Sequence, residues 1–93
     1  MTVEMNGRQL TLSYTVSAVC DMERALGVSL YELLKTDVTC VRALFWCGLL
    51  SSPAQCTLKE AGEMLDEFIK AGGSLTALGA LIAQALEDAG FFH

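Results

Sequence analysis

The hydrophobic pattern changes period once along the chain. Over Arg8–Tyr14 apolar and polar positions alternate, with Leu10, Leu12 and Tyr14 on one face and Gln9, Thr11 and Ser13 on the other. A period of two predicts a half-buried strand. Thr2–Met5 reads as a shorter strand, and Asn6-Gly7 between them is a hairpin signal, because both positions of such a turn need positive φ. A lone hairpin is barely stable in water, so its apolar face must dock on the rest of the chain.

From Tyr14 onward the spacing is helical. The first helix is predicted over Val16–Leu26, with Val16, Val19, Cys20 and Leu26 inward and Gly27 as its left-handed C-cap. Ser29 and Glu32 form the pattern of a capping box, flanked by Val28 and Leu33 as a hydrophobic staple, and predict a short helix over Leu30–Leu34. The next helix, Val38–Leu50, is apolar nearly all round. Val41, Leu44, Phe45, Gly48 and Leu49 share one side, and Ala43, Trp46, Cys47 and Leu50 share the other. Such a helix is either central to the core or partly an interface.

Thr57 and Glu60 make a second capping box, which opens an amphipathic helix over Leu58–Ala71. Its apolar face carries Leu58, Ala61, Leu65, Phe68 and Ile69, and Gly72-Gly73 ends it. Ser74 caps a last helix, Leu75–Ala89, whose stripe is Leu75, Leu78, Ile82, Ala85, Leu86 and Ala89. Ala77, Ala80 and Gln84 on its back are small enough for close packing, and an aromatic tail, Phe91-Phe92-His93, follows Gly90. The pattern as a whole predicts one α+β domain over 1–93, mainly α: an N-terminal β-hairpin (1–14) packed on a bundle of four to five helices (15–93).

Composition narrows the function classes. Of 93 residues, 53% are hydrophobic and only 18% charged, against a usual ~25% charged. The chain is too apolar to be disordered. It carries enough apolar helix surface to favour a partner, and self-association stays open. Six basic residues, scattered singly, face eleven acidic ones for a net charge of −5. A phosphate backbone requires clustered cations, so nucleic acid is not the expected partner. No apolar run is long enough to span a bilayer. The first fifteen residues also lack the continuous apolar core of a secretory signal. That points to a cytoplasmic protein with reduced thiols.

Catalytic chemistry finds little support. Cys20, Cys40, Cys47 and Cys56 are separated by 20, 7 and 9 positions, so no Cys-x-x-Cys exists, and the one histidine is His93. A closed zinc site requires four converging ligands, and a cysteine nucleophile wants a positioned base. The carboxylates Glu60, Glu63, Asp66 and Glu67 lie on a polar helix face, as for solvation rather than acid–base work. Gly72-Gly73 lacks the preceding strand and the lysine of a phosphate loop. No cofactor, metal or enzymatic activity is expected. An apolar and aromatic surplus remains. Arg42 stands one turn before Trp46, a pairing that suits a binding hot spot. The expected partner-binding residues are Arg42, Trp46, Leu50, Phe91 and Phe92.

The order of elements adds a resemblance. It runs through the Asn6-Gly7 hairpin, Ala18-Val19-Cys20-Asp21-Met22-Glu23 and Leu26-Gly27-Val28-Ser29-Leu30. It continues through Arg42-Ala43-Leu44-Phe45-Trp46-Cys47-Gly48-Leu49-Leu50 and Thr57-Leu58-Lys59-Glu60-Ala61-Gly62, and closes with Ala85-Leu86 and Gly90-Phe91-Phe92. Over nearly its whole length the chain resembles the small tail assembly chaperones of long-tailed bacteriophages and gene transfer agents. The resemblance implies a non-enzymatic protein of the host cytoplasm. Its partners would be the long helical tape-measure protein and the tail-tube protein. The alternative expectation is a structural subunit of the phage particle, such as a tail-completion or connector protein.

Overall fold

The computed structural model describes residues 1–34, 37–53 and 55–91. It shows an antiparallel hairpin, β1 (Thr2–Met5) and β2 (Arg8–Thr11), followed by α1 (Val16–Leu26), a 3-10 helix (Leu30–Leu33), α2 (Val38–Leu49), α3 (Leu58–Lys70) and α4 (Leu75–Asp88). The fold is α+β and mainly α, as the pattern predicts. Asn6 and Gly7 hold φ of 55° and 75°, the positive pair that a two-residue turn demands.

Regular pairing stops at Thr11, three residues before the predicted end, although the alternation continues: Leu10, Leu12 and Tyr14 are all buried. Leu12 still exchanges bonds with Met1. Its N–H donates to the Met1 carbonyl (2.7 Å), and the Met1 amine donates to its carbonyl (3.0 Å). The chain then leaves the sheet for α2. The Ser13 N–H donates to the Gly48 carbonyl at 2.9 Å, and the Tyr14 hydroxyl donates to the Leu44 carbonyl at 2.8 Å. This approach is close enough to require glycine at 48. A Cβ there would stand 2.9 Å from the Tyr14 hydroxyl and 3.0 Å from the Leu12 Cβ.

α2 is central. It packs against α1, the 3-10 helix, α3 and α4, and eight of its residues are buried, from both of its apolar sides. Thr39 and a flank spaced at one turn, Val38, Arg42, Trp46 and Leu50, stay partly or fully open. Asp37 caps its start by accepting from the Cys40 N–H at 2.9 Å.

The other helices depart from the pattern in identifiable ways. In α1 the buried residues are Ala18, Val19 and Met22, with Leu26 partly covered, whereas Val16 is 70% exposed and Cys20 is exposed. Apolar residues occupy two sides of this helix. Ala18, Met22 and Leu26 make the longer stripe one turn apart, and that stripe takes the core. In α3, Ala61 and Leu65 are buried and Phe68 packs on the core, but Ile69 lies at the edge, 46% exposed. In α4, Leu78, Ile82 and Leu86 are buried, while Ala89 is an exposed C-cap. Ala77, Ala80 and Gln84 are exposed rather than closely packed.

Helix ends obey local chemistry. The box at α3 is complete: Thr57 Oγ1 accepts from the Glu60 N–H (3.1 Å) and Glu60 Oε1 accepts from the Thr57 N–H (2.9 Å). These bonds hold the exposed Glu60 carboxyl below its ordinary pKa. At Ser29 one half forms. Ser29 Oγ accepts from the Glu32 N–H, but the Glu32 carboxylate meets the Ser29 hydroxyl, and Glu23 of α1 takes the Leu30 N–H at 2.7 Å. The resulting helix is a 3-10 turn of four residues, ending one short of Leu34.

These contacts set measurable stabilities. Gly48→Ala should destabilise the fold by about 1–3 kcal/mol, the usual cost of forcing atoms into a packed core. Tyr14→Phe should cost about 0.5–1.5 kcal/mol, one buried hydrogen bond. Urea unfolding followed by circular dichroism reads both, and unchanged midpoints would remove the close approach as a constraint. In the same assay Thr57→Ala should cost about 0.5–2 kcal/mol for the lost cap.

Candidate partner-binding surface

The residues singled out by sequence fall on two parts of the molecule. Arg42, Trp46 and Leu50 line the half-open flank of α2, where the one-turn spacing puts them. The Arg42 stem lies across α3 at Gly62, where a Cβ would stand 3.2 Å from its Cδ. Its Nε is buried without a hydrogen-bond partner. The Trp46 indole N–H donates to the Cys56 carbonyl at 2.9 Å, tying α2 to the segment before α3, and the ring packs partly on the core. The Leu50 carbonyl accepts from the Gln55 side chain at 3.3 Å. Phe91, past the end of α4, also packs partly on the core, its N–H bonded to the Leu86 carbonyl. Phe92 and His93 lie outside the described residues.

The most apolar opening lies elsewhere, where the 3-10 helix, α2 and α4 meet. It is a cleft of about 240 Å³. Leu33 and Leu34 form one wall, Val41 and Leu44 of α2 the floor, and Gly79, Ile82 and Ala83 of α4 the other wall. Two small residues one turn apart, Gly79 and Ala83, keep it open; a Cβ at 79 would come within 3.5 Å of Val41. Leu75 at the start of α4 lines this cleft and also a second groove. That groove runs between α2 and α3, past Val38, Arg42, Gly62 and Ile69, with Lys59, Glu63 and Asp66 at its edge. Three large apolar residues along this line are substantially exposed: Leu34, Val38 and Ile69. Arg42 therefore lines a groove that adjoins the apolar cleft at Leu75, which the hydrophobic pattern does not reveal.

The cleft is smaller than the ~300–1,000 Å³ typical of sites that enclose a small molecule. Its size and lining suit one or two inserted side chains. Reactive groups are placed against use. Burial first, then the charges of Asp21 and Glu23, push the Cys47 thiol from 9.0 up to about 12. Cys56 is raised as well, by burial and by Glu60. Tyr14 is raised by burial and by neighbouring Cys47. Such thiols stay protonated and are poor nucleophiles. Among the described residues no three His, Cys, Asp or Glu side chains converge as metal ligands. Likewise, none of the described helices is long and apolar enough to cross a membrane. Chemically, the cleft offers apolar contact, and the adjoining groove adds the charges of Arg42, Lys59, Glu63 and Asp66 at its edge. Compared with protein-family models, with curated proteins and with solved structures, the chain matches none.

The thiol environments generate a pH prediction. The folded Cys47 keeps its proton to higher pH than the unfolded chain does, so between the two values the unfolded state binds fewer protons. The stability tied to this thiol is therefore fully present below about pH 9 and falls as pH rises toward the folded value. Tyr14 acts in the same direction. Urea midpoints should decline on the alkaline side, and less steeply in Cys47→Ala. A thiol reagent should modify exposed Cys20 in the folded protein and reach Cys40 and Cys47 only on unfolding.

Proposed function

We propose that this chain is a tail assembly chaperone, of the kind made by long-tailed bacteriophages and gene transfer agents. In this reading it is a non-enzymatic protein of the bacterial cytoplasm. It covers apolar segments of the tape-measure protein until tail-tube subunits assemble around them. The observation that carries the reading is the open apolar cleft between the 3-10 helix, α2 and α4, with the groove beside Arg42 that adjoins it at Leu75. Leu34, Val38 and Ile69 are exposed at the linings of these two openings, and apolar surface gathered around a concavity favours a binding face. Side chains from one face of a tape-measure helix would enter the cleft, in the groove-binding mode common for amphipathic helices. The net charge of −5 keeps a carrier with such a surface dispersed.

The resemblance to those chaperones supports the choice of partner, and the order of elements on which it rests is the order of the fold. The proposed grip combines the cleft with the flank of α2. Cleft residues supply apolar burial, Arg42 supplies a charged edge, and Trp46 and Leu50 extend the surface along the helix. Phe91 and Phe92 remain part of the proposal as a second patch at the chain end.

Co-expression with the tape-measure protein of a long-tailed phage, followed by affinity capture, tests this directly. Wild type should recover the tape-measure protein. Ala83→Glu, which places a charge at an exposed position lining the cleft, should lower recovery by roughly tenfold or more, equivalent to about 1.4 kcal/mol or more. Ala80→Glu, exposed on α4 away from the cleft, should bind as wild type, and both should unfold at the wild-type midpoint. Undiminished capture by Ala83→Glu would exclude the cleft, and the same assay on Trp46→Ala with Phe92→Ala would then decide the remaining surface. Mass spectrometry of purified particles should find the chain absent. Abundant copies there would instead make it a structural subunit.

A further inference from the structure

We draw no further inference here: the strongest candidate, the apolar cleft between the 3-10 helix, α2 and α4 with the groove that adjoins it at Leu75, belongs to the site already described, and nothing in the structure shows what else covers it.

Discussion

Everything in this fold is arranged around a helix that has almost no polar side. α2 buries residues from both of its apolar sides, so neighbours must surround it, and one of those neighbours is extended chain rather than helix. The segment Leu12–Tyr14 comes so close that the α2 backbone itself becomes the contact surface, with Gly48 and Leu44 carbonyls accepting from Ser13 and Tyr14. A methyl group at 48 would occupy the space of Tyr14 and Leu12. The hairpin, too small to stand alone, thus gains its stability by lying on a bare stretch of helix. Asn6 adds a second attachment by donating from its side chain to the Met64 carbonyl of α3, at 3.2 Å.

Features that depend on a few adjacent residues were legible in the sequence. The Asn6-Gly7 turn, the Gly27 C-cap, the Thr57–Glu60 box and the Ser74 cap each arise from local hydrogen bonding or local φ, and each is present. The capping of the 3-10 helix was legible only in part, since its Leu30 N–H is taken by Glu23, seven residues earlier and on another helix. Which apolar stripe of α1 faces inward was not legible either. Val16, Val19 and Cys20 offer a rival apolar side to the Ala18, Met22 and Leu26 stripe, and of those three only Val19 is buried. The same holds for Ile69, whose periodicity says inward but whose place at the rim of a groove leaves it in water.

The candidate surface divides along the same line. That Arg42, Trp46 and Leu50 share a flank follows from helix geometry, and the flank is the open one. The cleft is different. Its walls bring α4 against the 3-10 helix and α2, more than thirty positions earlier in the chain, and it is lined by Gly79 and Ala83, residues that leave little apolar signature. A concavity made by what is missing from side chains is nearly invisible in a hydrophobic pattern. The apolar surplus in the composition signalled that such surface should exist, without giving its location.

The bond between the Glu23 carboxylate and the Leu30 amide joins α1 to the short helix beside that cleft. The 3-10 helix that supplies the Leu33–Leu34 wall is four residues long, too short to hold its own position through helical hydrogen bonds alone. Its first turn is held by the Ser29 cap, by the buried Leu30 and Leu33, and by a carboxylate acceptor on α1, a bond of the stronger class at about 1.5–3 kcal/mol. The short helix beside the cleft is thereby fixed at two points, a charge-assisted hydrogen bond at Leu30 and the buried side chains of Leu30 and Leu33. Replacing Glu23 would thus be felt first at Leu30, while Leu33 stays buried against the core by its own packing.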